Sequence, residues 1–179
     1  VYSPGAVEFD TESGLVCKVR KLKDDDPLLN DATRTVAEWI VPGFIDIHNH
    51  GFGGAENVID YWSCPRYTLS RMPAFGVTAT LATLTFPSPP LLQRSLKACD
   101  AVNKIVGSLN PNSAVVYGIH AEGPIIATRG GLPNSQMILR WDIDKFRTLL
   151  DNIGPYLRIM TISPSVESGA SLSDDAPSS

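Results

Sequence analysis

Two of the three histidines in this 179-residue chain, His48 and His50, flank a single asparagine in the run Val41-Pro42-Gly43-Phe44-Ile45-Asp46-Ile47-His48-Asn49-His50-Gly51. The third opens the run His120-Ala121-Glu122-Gly123-Pro124, directly after an apolar stretch. Neutral imidazoles side by side, backed by a carboxylate, are suited to holding a divalent metal ion. Strand periodicity makes that grouping physical. Alternate side chains share a face, so Asp46, His48 and His50 project together while Ile45 and Ile47 point away. The same alternation puts His120 and Glu122 on one face. The plainer alternative for His48 and His50 is a pair of surface histidines leaving a strand. For His120, a buried, hydrogen-bonded histidine is preferred over a ligand. Glu122 calls for a partner or a metal, because a carboxylate ending a buried apolar strand is costly alone.

These residues need elements to carry them. Gly5 to Phe9 and Leu15 to Val19, joined through Asp10-Thr11-Glu12-Ser13-Gly14, read as a β-hairpin, with Thr35 to Ile40 as a further strand of the same minor sheet. Phe44 to His50 is the next strand, and Tyr61 to Phe75 a mostly helical connection. Gly76 to Phe86 is apolar and β-branched throughout, the pattern of a strand covered on both faces. Pro89 and Pro90 suit the first turn of a helix. Leu92, Leu96, Cys99, Val102, Ile105 and Val106 carry its period through Leu91 to Leu109. Ala114 to His120 is a strand, Asp142 to Ile153 a helix capped by Asp142 and Asp144, and Leu157 to Ile162 a strand.

Strands alternating with long helical connections make a parallel sheet wrapped by helices. With the chemical groups at C-terminal strand ends, the expected fold is α/β: the N-terminal half of a (β/α)8 TIM-type barrel, with part of a small β-sandwich before it. A whole barrel takes about 250 residues, and the β/α portion here is roughly half of that. The expected organisation is a partial β domain over 1–40, four β/α units over 41–164, and a disordered Ser/Asp-rich tail over 165–179. Open sheet edges would then expose apolar residues, which a homodimer or a complementing chain would cover.

Composition removes several function classes. A net charge of −4 gives no basic footprint for nucleic acid. The basic run Lys18 to Lys23, followed by Asp24-Asp25-Asp26, reads as a solvated loop. No apolar stretch approaches the roughly 20 residues that span a bilayer, so no membrane partner is expected. Three dispersed cysteines, Cys17, Cys64 and Cys99, suit free thiols in a reducing compartment, hence a cytoplasmic location. No signal peptide is legible, although the chain lacks an initiating Met. Gly51-Phe52-Gly53-Gly54 lacks the Lys-Ser/Thr of a P-loop and reads as a turn.

The runs PGFIDIHNHG, GVTATLATLTF and IHAEGP together resemble the N-acetylglucosamine-6-phosphate deacetylases of the amidohydrolase superfamily, over about residues 5–164. The first run is common to many amidohydrolases, and IHAEGP narrows the match. The resemblance implies metal-assisted amide hydrolysis of a small-molecule phosphosugar, giving acetate and glucosamine 6-phosphate. It implies His48, His50 and Glu122 as metal ligands and His120 as a residue beside them. Gly131 and Leu132 fall where the family often has a Gly-x-His-Pro segment that contacts the sugar. Here Leu132 stands where that histidine would. The metal implied is Zn, Fe, Co or Mn.

Family members also supply two later histidines and a catalytic Asp, whereas no histidine follows His120 in this chain. The resemblance therefore implies a deacetylase lineage without a complete catalytic set in these 179 residues. Two other readings stay open. One is an amidohydrolase acting on a cyclic amide or ureide, and the other a non-catalytic protein that binds a phosphosugar.

Overall fold

The computed structural model describes residues 4–31, 35–51, 62–86, 89–126 and 143–163. The chain divides into two compact units, Val1–Pro42 and Gly43–Ser179.

In the first unit, β1 (Gly5–Phe9) pairs antiparallel with β2 (Val16–Lys21). The turn between them is held by Asp10, whose carboxylate accepts from the Glu12 amide and the Ser13 hydroxyl. Those hydrogen bonds hold the Asp10 carboxyl below its ordinary pKa. The acidic run behaves differently from the solvated loop expected. Asp24 and Asp25 are exposed, but Asp26 is buried. It caps a short 3₁₀ turn, Pro27–Asn30, by accepting from the Leu28 amide, and it pairs with Arg20. The Arg20 guanidinium, also bound to Glu8, holds the Asp26 carboxyl below its usual range.

Thr35 to Ile40 form no strand. Among the described residues β1 and β2 pair only with each other, so the backbone of 35–40 joins no ladder there. The alternation of that segment marked side chains that stay exposed, among them Val36 and Trp39.

The second unit is built on one sheet, in the order β3 (Phe44–Asn49), β4 (Val77–Thr85), β5 (Val115–Glu122) and β6 (Leu157–Thr161). All three pairings are parallel, so all four C-terminal strand ends lie along one edge. The crossovers are helical: α1 (Pro65–Arg71) running into a 3₁₀ turn (Met72–Phe75), α2 (Pro89–Asn103) and α3 (Ile143–Ile153). The α/β class with a parallel sheet is therefore as the sequence predicts. Gly76 ends the first connection in the left-handed region (φ 77°), where its N–H reaches the carbonyls of Met72 and Pro73.

The core lies between sheet and helices. β4 is buried from Thr80 to Thr85, as its β-branched composition requires. α2 buries Ser95, Ala98, Cys99 and Val102, the one-face spacing of a helix. Burial pushes the Cys99 thiol up to about 12, so this cysteine packs as an inert apolar group. Trp62, Met72, Leu84, Phe86, Val116, Ile119 and Ile153 belong to the same core.

α2 ends at Asn103, short of the predicted Leu109. Beyond it the backbone tightens, Ile105 donating to Val102, and Gly107 (φ 72°) turns to donate to Val116 in β5. β5 needs a second glycine for a different reason. A Cβ on Gly118 would lie 2.4 Å from the Tyr156 carbonyl, so only glycine lets β6 approach there.

Among the described residues β3 and β6 are the outer strands. Phe44, Ile45 and Ile47 are exposed along β3. Phe52 to Gly54, Asp142 and the 165–179 tail lie outside the described residues. No helix among the described residues is long and apolar enough to cross a membrane.

Candidate metal centre

β3 and β5 are separated by β4, yet their C-terminal ends bring His48, His50 and Glu122 into one cluster. His48 Nε2 and His50 Nε2 are 3.3 Å apart. The Glu122 carboxylate lies 3.1 Å from His50 Nε2 and 3.7 Å from His48 Nε2. Each residue offers one ligand atom, and these atoms all fall within 4.8 Å of one another.

The spacing can be tested against a metal. Bonds of about 2.0–2.1 Å in a tetrahedral arrangement place neighbouring ligand atoms about 3.3 Å apart. The two Nε2 atoms sit at that edge length, and Glu122 meets them through its two oxygens, Oε1 near His48 and Oε2 near His50, with one ligand atom per residue within 4.8 Å, so the residues present fit a divalent ion. Their chemistry fits as well. Burial pushes the His50 pKa below its ordinary 6.5, against the opposing pull of Glu122, and the adjacent His48 and His120 lower it further. His50 is thus kept neutral, with a lone pair to donate. Its Nδ1 is buried without a hydrogen-bond partner among the described residues.

His120 belongs to the same neighbourhood with a different job. Its ring is buried, and both nitrogens are engaged: Nδ1 with the Ile47 carbonyl and Nε2 with Thr161 Oγ1, each at 2.8 Å. A carbonyl can only accept, so Nδ1 carries the proton and donates. In the neutral ring Nε2 then accepts from the threonine hydroxyl, and no lone pair remains for a metal. The hydrogen-bonded reading preferred from sequence describes this geometry. His120 ties β5 to β3, across β4, and to β6. Its ring also packs edge-on against His48, centroids 4.9 Å apart.

Replacing His120 by Phe keeps an aromatic ring and removes both hydrogen bonds. The expected cost is about 1–3 kcal/mol, read as a lowered urea midpoint. An unchanged midpoint would show that the ring nitrogens contribute nothing to stability.

Asp46 departs from the reading that placed it behind the imidazoles. Its Oδ1 accepts from the His48 backbone N–H at 3.1 Å and its Oδ2 from Asn49 Nδ2 at 2.8 Å. The reason is reach. A short side chain on the histidines' own strand meets the local backbone, whereas Glu122 arrives from another strand. Gly131 and Leu132 lie outside the described residues.

Sequence reasoning overlooked three supporting residues. Trp62 donates from Nε1 to the Asn49 carbonyl at 3.0 Å. Thr83 Oγ1 accepts from the Asn49 N–H at 2.8 Å. Thr161 orients His120. The available signal was weak: hydroxyls recurring in otherwise apolar strands, ambiguous with ordinary β-propensity.

No family model matches the chain. The chain is 28% identical over 153 residues to the N-acetylglucosamine-6-phosphate deacetylase of Bacillus subtilis, covering 84% of this chain and 38% of that protein. It is 32% identical over 132 residues to the Homo sapiens protein of the same name, covering 70% of this chain and 31% of the relative. The crystal structure of the Thermotoga maritima N-acetylglucosamine-6-phosphate deacetylase superposes on 90% of this chain, and 38% of its own, with a TM-score of 0.58 and 25% identity. The chain thus spans less than two fifths of the length of these relatives. In sequence and in fold it is a relative of the N-acetylglucosamine-6-phosphate deacetylases.

Proposed function

We propose that this chain carries part of the metal centre of an amide hydrolase, one that removes acetyl from N-acetylglucosamine 6-phosphate to give glucosamine 6-phosphate and acetate. The observation that carries the reading is the convergence of His48, His50 and Glu122 at metal-ligand spacing on C-terminal strand ends. The names of the relatives supply the substrate.

His48, His50 and Glu122 would hold the ion, with Zn, Fe, Co or Mn the candidates by donor type. When bound, such an ion supplies Lewis acidity that activates water at neutral pH and polarises an amide carbonyl. The chain's own residues prepare for it. Burial keeps His50 neutral, Glu122 brings negative charge to offset the cation, and His120 holds the strand end in place through the Ile47 carbonyl. Asp46 is committed to the His48 backbone and to Asn49. The reading therefore assigns proton transfer to the leaving amine to a group other than Asp46.

The same reading makes the four parallel strands half of a (β/α)8 barrel and the β1–β2 hairpin part of a small β-sandwich. It puts the protein in the cytoplasm. A homodimer or a complementing chain would cover the apolar residues of β3, with Phe44, Ile45 and Ile47 exposed in support.

A chimera tests the proposal: this chain's segment replaces the matched segment of the Bacillus subtilis deacetylase, and acetate release from N-acetylglucosamine 6-phosphate is measured. Metal-dependent release, lost on Glu122→Ala, is expected from the chimera, with none from the 179-residue chain alone. A folded, metal-loaded chimera without activity would refute the substrate assignment. Turnover by the chain alone would refute the shared-site reading.

A further inference from the structure

Asn49 stands between the two histidines and uses every polar atom it has. Its backbone N–H donates to Thr83 Oγ1 at 2.8 Å, and its carbonyl accepts from Trp62 Nε1 at 3.0 Å. Its side-chain Nδ2 donates to Asp46 Oδ2 at 2.8 Å, while its Oδ1 accepts from the Gly51 N–H at 2.7 Å. Asp46 closes the loop by accepting from the His48 N–H.

We propose that Asn49 is a positioning residue that sets the angle between the His48 and His50 side chains and so defines the metal-binding geometry. The inference rests on the metal reading above and goes beyond it, since Asn49 offers the ion no atom.

The argument starts from strand geometry. In a regular strand, residues two apart are separated by about 6.6 Å and their side chains run parallel. Here the two Nε2 atoms are 3.3 Å apart, and the ring planes meet at 69° with centroids 5.2 Å apart. The rings converge where the strand ends, since β3 stops at Asn49. Gly51 then turns with φ at 112°, in the region that favours glycine. His50 is therefore held between a strand pinned to β4 through Thr83 and a turn pinned by the Asn49 side chain.

The residue type follows from the partners. An ionised Asp46 can only accept, and the Gly51 N–H can only donate. The side chain between them must donate on one side and accept on the other, at the length of one methylene. An amide does this. Aspartate would set acceptor against acceptor at Asp46, and alanine would satisfy neither partner.

The test uses cobalt(II) as the probe on the intact chain, reading affinity by chelator competition and ligand geometry by visible absorption. Asn49→Ala and Asn49→Asp are each expected to weaken cobalt binding about 10–100-fold and to change the spectrum, with both histidines in place. The double variant Asp46→Asn with Asn49→Asp exchanges donor and acceptor, and it is expected to recover most of the affinity and the original spectrum. Should Asn49→Ala fail to fold, the Asp variant and its exchanged partner decide. Unchanged affinity and spectrum in Asn49→Asp would overturn the positioning role while leaving the metal reading intact. Loss without recovery in the exchanged pair would also overturn it, because the Asp46–Asn49 hydrogen bond would then not be the cause. A wild-type chain that binds no cobalt would instead overturn the metal reading on which the proposal rests.

Discussion

Glu122→Ala is expected to weaken divalent-metal binding by more than about a hundredfold. Structural zinc sites bind with roughly 10–16 kcal/mol spread over four ligands, so one ligand corresponds to a hundredfold or more in affinity. Glu122 also brings the negative charge that complements a cation. The carboxylate side chain is only 17% exposed and lies beside His50, which burial keeps neutral. His50→Ala should give a comparable loss of affinity. Chelator competition with zinc or cobalt measures both losses. A Glu122 variant that binds metal as tightly as wild type would remove the carboxylate from the ligand set.

Trp62→Ala should produce the largest loss of stability tied to the site, about 3–5 kcal/mol by the usual cost of truncating a buried large aromatic. Trp62 is fully buried in the core, and its N–H is spent on the Asn49 carbonyl. Against the roughly 5–15 kcal/mol that holds a domain folded, such a loss could unfold the chain. Trp62→Phe separates the two contributions. It keeps most of the packing and should lose about 1 kcal/mol for the hydrogen bond, with weakened metal binding as the sign that the indole steadies Asn49. Urea midpoints of the two variants, read with their cobalt affinities, check this. Equal stability of Trp62→Ala and wild type would show that the residue does not anchor the core.

The sheet was largely legible because its signals are cooperative. The β-branched run from Val77 to Thr85 can hardly be anything but a covered strand, and the period from Leu92 to Val102 can hardly be anything but a helix. Boundaries were less legible, since they depend on partners rather than periods. Gly107 ended α2 early by bonding to a residue of β5, and Thr35 to Ile40 lacked a strand to pair with.

The candidate site divides along the same line. Alternation was enough to place His48 with His50, and His120 with Glu122, on shared faces. It could not show that Glu122 crosses from β5 to the histidines of β3, because that depends on how four strands curve. Nor could it show that Asp46 turns to the backbone or that Asn49 meets Thr83 and Trp62, contacts made across 34 and 13 residues of sequence. The one long-range feature read correctly in kind was His120. A histidine inside an apolar strand must satisfy both ring nitrogens wherever the partners lie.

The most direct test of the central claim is X-ray absorption spectroscopy of the zinc-loaded intact chain. Two imidazole nitrogens and at least one carboxylate oxygen are expected in the shell at about 2.0–2.2 Å, with one imidazole lost in His50→Ala and the carboxylate oxygen lost in Glu122→Ala. A shell of water oxygens, or one unchanged by either substitution, would contradict a metal centre built from His48, His50 and Glu122.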